Sequence, residues 1–426
     1  MSILSTPHFK NKKGAGDDCL TLPRPLIHAL YSSEPEPLTP VYRCIISPHW
    51  TILFNSCMSS YDPAKINAIS RQFHIYGDLH HVEPCKIGHI NETYIATYMQ
   101  GGSRIRYVHQ RLNTDVFRQP AAVMDNILRV TRHQRAKLES SGTTDISRRI
   151  LTVVPAHDGS PLHRTASGEH WRTFVFVEGV RTFESVESPA QAYQAGLAFG
   201  QFQAQLADLP NPRLADTIPH FHNSRRRFDA LVAAVQADTH NRAQAARAEI
   251  DFAIKRQKWV DVILKGMAKG HLPERVTHND TKFNNVMLDP GTQTAMCVVD
   301  LDTVMPGCAL YDFGDMVRTT TSPTVEDELD LSKVHVRMPL FKKLCEGYLK
   351  GSMGMLNKHE RSLIAFSGKL LTFTIGLRFL TDYLSGDTYF RVHRPNHNLD
   401  RTRTQFRLVE SIERNEEAMQ RFADGV

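Results

Sequence analysis

The sequence predicts an α+β protein with two lobes, a small β-rich N-lobe followed by a larger, mostly helical C-lobe. Short apolar runs separated by turn residues dominate from about residue 82 to residue 178. After Gly179 the apolar residues recur at helical spacing, and one hairpin-like pattern near residue 290 interrupts the helices. We therefore expect an N-terminal extension at 1–74, the N-lobe at 75–178 and the C-lobe at 179–426.

Each lobe has its own series of predicted elements. The extension keeps no apolar period, so we expect it to be largely irregular apart from a helix near 63–73. The predicted N-lobe strands are 82–87, 93–98, 104–112, 150–155 and 171–178, and its helix is 120–139, which begins at a proline. The predicted C-lobe helices are 189–206, 242–265, 336–350, 358–385 and 402–421.

Composition excludes several classes of protein. The chain has 426 residues and a net charge of +6, which fits an anionic ligand, but no basic run is long enough to indicate nucleic-acid binding. The seven cysteines include no C-x-x-C pair, which argues against a zinc site or a disulfide framework and favours a cytoplasmic protein. No apolar run approaches a membrane span, and the N-terminus lacks the apolar region of a signal peptide. We expect a monomer without membrane association.

The segment 276–302 carries the strongest functional signal. His278, Asp280 and Asn285 follow the spacing H-x-D-x-x-x-x-N, and Asp300 ends the apolar run that comes next. Phosphoryl transfer needs an acceptor base and metal ligands close together, and these residue types supply both. The order and spacing therefore indicate a phosphoryl-transfer site.

A hairpin argument places two of these residues side by side. Apolar runs at 286–288 and 295–299 flank an Asp-Pro-Gly-Thr turn at 289–292, which predicts two antiparallel strands. Asn285 precedes the first strand and Asp300 follows the second, so both lie at the open end of the hairpin. Their oxygen atoms suit Mg²⁺ bound together with nucleotide phosphates.

The loop that leads into the hairpin supplies the remaining chemistry. Asp280 lies five residues before Asn285, where it can act as the acceptor base. Lys282, two residues later, can reach a transferred phosphoryl group. We expect Asp280 and Lys282 to be the catalytic residues.

Further motifs extend the pattern along the chain. They are GHINETY at 88–94, VTHNDTK at 276–282, DLDTVMPG at 300–307, YDFGD at 311–315 and RTRTQ at 401–405. Together they resemble the motifs of the N-acetylhexosamine 1-kinases, in the aminoglycoside phosphotransferase and choline kinase branch of the protein-kinase-like fold. The similarity spans about residues 75 to 422. That family phosphorylates the anomeric 1-hydroxyl of N-acetylglucosamine or N-acetylgalactosamine with ATP and Mg²⁺.

The resemblance implies roles for individual residues. Asp280 matches the catalytic base, Asn285 and Asp300 match the metal ligands, and sugar contacts are implied for three residues outside the catalytic loop. These three are His89, Arg378 and Tyr389. The nucleotide-binding candidates on the N-lobe side are Gly88, Gln110, Val177 and Gly179.

Two features depart from the wider kinase pattern. Gln110 stands on the third strand where kinases place a phosphate-holding lysine, with Arg111 facing the other side. The helix at 120–139 offers Asp125 or Asn126 where a glutamate partner is usual, so the Lys–Glu pair is missing. The N-acetylhexosamine 1-kinases also have a glutamine at this strand position.

Other residues receive structural interpretations. Asp312 belongs to a D-F-G triplet, but it lies 32 residues after Asp280 (312 − 280), so we assign the metal to Asp300. We expect Asp312 to cap the following helix and brace the catalytic loop. We expect His220 and His222 to be surface residues.

Two further functions stay open alongside the sugar kinase. One is another small-molecule kinase of the same fold, acting on a different sugar, an aminoglycoside or a choline-like acceptor. The other is a pseudokinase that binds nucleotide without turnover. The missing Lys–Glu pair favours the pseudokinase, whereas Asp280, Lys282, Asn285 and Asp300 oppose it.

Overall fold

An antiparallel sheet forms the N-lobe of the protein. The computed structural model describes residues 62–85 and 90–426. The elements of this lobe are α1 (Pro63–Ser70), β1 (Asp78–Pro84), β2 (Glu92–Gln100), β3 (Ser103–Arg111), α2 (Pro120–Ser140), β4 (Val153–Val154), β5 (His163–Arg164) and β6 (His170–Val175). The six strands are ordered β1-β2-β3-β6-β4, and β5 also pairs with β6. The predicted strand at 82–87 is shifted, since β1 ends at Pro84, and only two residues of the predicted strand at 150–155 pair as β4.

The two faces of this sheet are covered by different helices. Alternation along β2 buries Tyr94, Ala96 and Tyr98 on one face. On that face α1 and the segment after it add Ile66, Ile69 and Phe73 to the same apolar cluster. The last part of the predicted extension therefore packs onto the sheet. Helix α2, which begins at a proline as predicted, belongs to a separate cluster that includes residues of β6.

The C-lobe is mostly helical, as the sequence predicts. Its helices are α3 (Pro189–Gln205), α4 (Ser224–Ala237), α5 (Arg247–Lys255), α6 (Val262–Ala268), α7 (Ala309–Thr321), α8 (Met338–Gly351), α9 (Lys358–Arg361), α10 (Ile364–Leu384) and α11 (His397–Gly425). Its strands are β7 (Arg275–Thr277), β8 (Val286–Leu288), β9 (Ala295–Val298) and β10 (Met305–Gly307), paired as β7 with β10 and β8 with β9.

Two predicted helices are broken by long-range contacts. The predicted helix at 242–265 stops at Lys255, because Trp259 turns into the core against the ring of Phe373. The predicted helix at 358–385 is interrupted after α9, where Glu360 closes a capping box and pairs with Arg275. The final helix α11 is longer than predicted at both ends.

Helices α3 and α8 approach each other at backbone distance. Each carries two glycines four residues apart, Gly196 and Gly200 on α3 and Gly347 and Gly351 on α8. A Cβ atom at any of the four would lie 2.1–2.5 Å from a carbonyl oxygen of the other helix. Only glycine permits this contact.

Helix α10 forms the centre of the C-lobe. It is the one helix of the described chain that is long and apolar enough to cross a membrane by composition, with a mean hydropathy of 1.2. This departs from the sequence expectation that no run approaches such a length. Within the fold 83% of its apolar window is buried, as in the core helix of a globular domain.

Candidate active site

The predicted hairpin is present and holds the motif residues at its open end. Strands β8 and β9 pair with Val286 opposite Val298, and the Val299 amide donates to the Asn285 carbonyl at 2.9 Å. The Asn285 side-chain amide donates to the Asp280 carbonyl at 2.8 Å and to its carboxylate at 3.2 Å. Asp300 follows in a left-handed conformation with φ of 59°. The structure thus brings Asp280, Asn285 and the Asp300 backbone to one edge.

Asp280 and Lys282 form an ion pair at the mouth of this edge. The Lys282 Nζ lies 3.1 Å from the Asp280 Oδ1. Desolvation opposes ionisation of Asp280, but the charge of Lys282 and the hydrogen bond from it lower the pKa of Asp280 overall. The carboxylate is therefore ionised at neutral pH. The charge of Asp280 in turn raises the pKa of Lys282.

Asp300 lies in an acidic recess and forms no ion pair with a residue that the structure describes. The residue is exposed, yet protein crowds the carboxyl group, and this desolvation together with the charges of Asp302 and Asp280 raises its pKa to about 7. A divalent cation would relieve this excess of negative charge. Because the Asn285 amide nitrogen is already used by Asp280, its oxygen is the atom left for a ligand. Asn285 and Asp300 therefore fit an open Mg²⁺ site completed by phosphate oxygens and water.

The described residues contain no group of three His, Cys, Asp or Glu side chains that could hold a metal. This is consistent with a site of few protein ligands. Mg²⁺ in nucleotide sites is commonly held by one or two carboxylates together with phosphates.

Beneath the catalytic loop, Asp312 holds the backbone in place. Its carboxylate accepts from the His278 amide at 2.8 Å, the Asn279 amide at 2.7 Å and the Gln203 side chain at 2.6 Å. The predicted helix-cap role is wrong: α7 starts after Cys308, and Asp312 lies in its first turn, facing the loop. The predicted bracing contact is present.

His278 belongs to the same buried floor. Its ring lies edge-on to Phe199 and Phe202, and its Nε2 is 2.9 Å from the Val299 carbonyl. Burial lowers its pKa, so the ring is neutral. His278 therefore ties the catalytic loop to β9 from below.

Across the sheet, Gln110 is held by its neighbours. It donates to the Thr93 hydroxyl at 3.0 Å and accepts from the Arg172 Nε at 3.0 Å. Asn126, in the place of the glutamate partner, is committed to the backbone of Ala215 and Val304. The Lys–Glu pair is thus replaced by polar groups with other partners.

Sequence reasoning missed the ion pair between Arg172 and Asp302. The side chains are 2% exposed each, and the Arg172 Nη2 lies 2.9 Å from the Asp302 Oδ2, with Nη1 on the other oxygen. The two residues are 130 positions apart. The only local signal was a second aspartate two residues after Asp300.

The segment between the lobes contains Val177 and Gly179. Val177 is buried, and Gly179 has a positive φ of 65°. Arg148 donates to the carbonyls of Glu178 at 2.9 Å and Gly179 at 2.6 Å. Two residues on, Arg181 pairs with Leu288 of β8, so this segment is joined directly to the hairpin.

On the C-lobe side, Arg378 and Tyr389 lie together. The Arg378 Nη2 is 3.4 Å from the Tyr389 hydroxyl, and the guanidinium packs against the rings of Phe221 and Phe390. Tyr389 is 64% exposed. Among the described residues Arg378 forms no ion pair.

His222 connects this region to the catalytic loop. The expectation that it is a surface residue is wrong, since it is buried and its Nε2 lies 2.9 Å from the Asn279 carbonyl. Burial lowers its pKa to about 4. The charge of Arg378 also lowers this pKa, whereas the charge of Asp280 opposes the shift. His220 is exposed as expected. Gly88 and His89 lie outside the described residues, so their predicted roles stay predictions.

This geometry agrees with a family comparison. The profile of the phosphotransferase enzyme family, APH, matches residues 81–335, which is more than half of the chain. The chain belongs to this family. The match includes the catalytic loop, the hairpin and Asp300 of the phosphotransferase, but not Arg378 or Tyr389.

A solved structure shows the same fold. An aminoglycoside phosphotransferase from Alicyclobacillus acidocaldarius superposes with a TM-score of 0.59 at 11% identity, covering 87% of this chain and 99% of that one. A microcompartment-associated aminopropanol kinase gives a TM-score of 0.49 at 14% identity over 84% of this phosphotransferase and 99% of its own chain. A choline kinase from Cryptosporidium parvum gives 0.48 at 13% identity over 84% and 98%. The phosphotransferase thus has the two-lobed, protein-kinase-like α+β fold predicted from its sequence.

Proposed function

We propose that this phosphotransferase transfers the γ-phosphoryl group of ATP to the anomeric 1-hydroxyl of an N-acetylhexosamine. The observation that carries the transfer step is the grouping of Asp280, Asn285 and Asp300 at one end of the hairpin. Asn285 and Asp300 would hold Mg²⁺, which neutralises charge on the phosphate oxygens when bound. Asp280, ionised and next to this edge, accepts the proton of the attacking hydroxyl.

The charge arrangement supports this assignment of roles. Lys282 lies beside Asp280 and is 47% exposed on its side chain, so it can turn towards a transferred phosphoryl group. Asp280 keeps its charge because Lys282 lowers its pKa, which leaves it ready as an acceptor at neutral pH. Asp280 can therefore act as the base while Lys282 contacts the phosphoryl group.

The acceptor assignment rests on Arg378 and Tyr389. An N-acetylhexosamine is neutral and offers an amide and several hydroxyls, which need a few placed donors and acceptors. Arg378 has no carboxylate partner among the described residues, and an exposed tyrosine hydroxyl lies next to it. Arg227 acts on the same region, since the charge of Arg378 adds to the burial that lowers the Arg227 pKa to about 10. Two arginines disfavour a cationic acceptor such as an aminoglycoside or choline.

An acceptor screen tests the proposal. ATP consumption is measured over hexoses, hexosamines, N-acetylhexosamines, aminoglycosides and choline, with Asp280→Asn as the inactive control. We expect N-acetylglucosamine or N-acetylgalactosamine to exceed glucose and galactose in kcat/KM by at least about tenfold. The Asp280→Asn variant should lose at least about 100-fold in kcat.

Product analysis and one variant sharpen the acceptor assignment. Phosphorus NMR should place the phosphate on C1, and Arg378→Ala should raise the KM for the sugar more than the KM for ATP. Phosphorylation at C6, or preference for an unacetylated sugar, contradicts the N-acetylhexosamine assignment while keeping the kinase. No turnover with any acceptor, combined with nucleotide binding, would instead favour the pseudokinase.

A further inference from the structure

The buried pair of Arg172 and Asp302 joins the sheet to the metal-binding loop. Arg172 projects from β6 in the N-lobe, and Asp302 lies two residues after Asp300 in the C-lobe. Two parallel N–H···O bonds join them, the geometry that fixes orientation as well as distance. Together with the hydrogen bonds from Asn91 to Asp302 and from Asn126 to Val304, this buried ion pair therefore sets where the Asp300 loop lies against the sheet.

All three guanidinium nitrogens of Arg172 bind other groups of the protein. Its Nε donates to Gln110 at 3.0 Å, and Nη1 also lies 3.7 Å from the Met124 sulfur of α2. With its side chain 2% exposed, Arg172 cannot reach a nucleotide phosphate without breaking the pair. Arg172 is therefore not a displaced copy of the kinase lysine that holds phosphate.

Asp302 connects further parts of the site. Its Oδ2 accepts from the Asn91 side chain at 2.6 Å, and Asn91 in turn accepts from the Asn113 amide at 3.0 Å. The next residue, Thr303, donates to the His278 carbonyl at 2.7 Å and accepts from the Asn279 side chain at 2.9 Å. Displacement of Asp302 would thus move Asp300 and the catalytic loop together.

We propose that Arg172 is a positioning residue that replaces the missing Lys–Glu pair, acting through Asp302 to fix the metal-binding Asp300 against the N-lobe. This inference rests on the proposed function, because it assigns Mg²⁺ to Asp300. Gln110, in the position of the kinase lysine, orients the guanidinium from the sheet. Arg172 and Asp302 thus position the active-site edge through one buried contact, without the contact to phosphate that the kinase lysine makes.

The test replaces the pair by an apolar pair of similar volume. Single variants Arg172→Met and Asp302→Leu leave one buried charge without a partner and should lower the Tm strongly. The double variant removes both charges and should recover most of the lost Tm, since buried ion pairs are often replaceable without loss of stability. Positioning predicts that its kcat nevertheless stays about 10- to 100-fold below that of the wild type. The Mg²⁺ concentration for half-maximal activity should rise by a similar factor.

A second buried arginine–carboxylate pair provides the matched control. Arg275 of β7 donates to both oxygens of Glu360 of α9 at 2.7 and 2.8 Å, a contact that involves neither Asp300 nor Asp302. The double variant Arg275→Met, Glu360→Leu should alter the Tm but leave the Mg²⁺ requirement of the folded enzyme unchanged. If the Arg172→Met, Asp302→Leu protein does not fold, Arg172→Lys keeps the charge but loses the two-pronged contact, and it should show the same rise in Mg²⁺ requirement.

The outcomes separate this inference from the proposed function. Recovery of both Tm and wild-type Mg²⁺ dependence in the double variant, or a normal Mg²⁺ dependence in Arg172→Lys, overturns the positioning role. Stabilisation of the wild type by ADP with Mg²⁺, read as a shift in Tm, needs no acceptor. If the wild type shows neither that shift nor phosphoryl transfer, it is the proposed function that fails.

Discussion

Asp300 and Asp312 are aspartates twelve positions apart (312 − 300), and their surroundings differ in how many hydrogen bonds the protein donates to the carboxylate. Desolvation by the surrounding protein is the largest cause that raises the pKa of each to about 7. Asp312 receives three N–H groups from the protein, two of them from the catalytic loop. The Asp300 carboxylate accepts no hydrogen bond from a described residue. The charges of Asp302 and Asp280 add to its desolvation. A saturated carboxylate holds the fold, whereas an unsaturated one in an acidic recess is available to a ligand.

The sharpest way to break this comparison is to remove the unsaturated carboxylate. Asp300→Ala should abolish phosphoryl transfer at any practical Mg²⁺ concentration, because Asn285 alone cannot hold the ion. The Tm without ligand should change little, because relief of the clustered negative charges offsets the cost of alanine in the left-handed conformation at this position. Activity assays and thermal unfolding of the same preparation check both parts. Retained Mg²⁺-dependent turnover would reverse the assignment.

Removal of the saturated carboxylate should act on stability first. Asp312→Ala leaves the buried amides of His278 and Asn279 without an acceptor, each at about 1–3 kcal/mol. We expect a loss of about 2–6 kcal/mol in the free energy of unfolding, larger than the roughly 1 kcal/mol typical of a lost helix cap. Urea unfolding measures this loss. An unchanged stability together with lost Mg²⁺ binding would show that Asp312 is the metal ligand after all.

Two buried histidines, His109 and His222, should each make the free energy of unfolding depend on pH. Desolvation lowers the pKa of both His109 and His222 to about 4, whereas an unfolded histidine titrates near 6.5. At each of these histidines the unfolded chain therefore binds more protons, so the contribution of that histidine to stability falls as pH drops from about 6.5 to about 4, by at most about 3 kcal/mol. The raised pKa values of Asp300 and Asp312 act in the opposite sense, so the loss at one histidine is read by comparing the wild type with a variant of that histidine.

Unfolding in urea at pH 7.5 and pH 5 measures this loss. His109→Gln preserves contacts with Tyr98 and Thr173 in part, and it should show a smaller loss between the two pH values. An identical loss in the variant would show that His109 does not titrate in this way.

The smallest effect is expected from deletion of residues 1–59. Residues 60–426 form one compact unit, and no predicted site residue lies before them. Deletion of 1–59 should leave kcat and Tm close to those of the full chain. Deletion of 1–74 removes buried Ile66, Ile69 and Phe73, each worth about 1.5–3 kcal/mol, and should unfold the N-lobe. Equal behaviour of the two truncated proteins would contradict the packing of α1.

Features set by local chemistry could be predicted from the sequence. The hairpin followed from its turn, where Asp289 accepts from the amides of Gly291 at 2.9 Å and Thr292 at 3.0 Å. The spacing of Asp280 and Asn285 likewise fixes their contact through a short loop. The residues that form each of these features lie within a few positions of each other, so the local sequence is enough to predict them.

Features set by contacts between distant residues could not be predicted. The Arg172–Asp302 pair, the burial of His222 under the catalytic loop and the anchoring of Asn126 each join segments far apart in the sequence. The same holds for the helix break at Trp259. Each depends on how the lobes and helices pack, which no local pattern records.

The glycines between α3 and α8 have a consequence for genetic experiments on this protein. Tyr348, between the two glycines of α8, donates to Gln203 of α3 at 2.6 Å, and Gln203 donates to Asp312 at 2.6 Å. A methyl group at Gly347 would spread the helices and pull on this chain of contacts, which ends at the catalytic loop. A screen for inactive mutants will therefore collect alanines at these glycines beside changes at Asp280. Loss of activity alone will not distinguish a mutant with displaced helices from one that lacks the catalytic carboxylate.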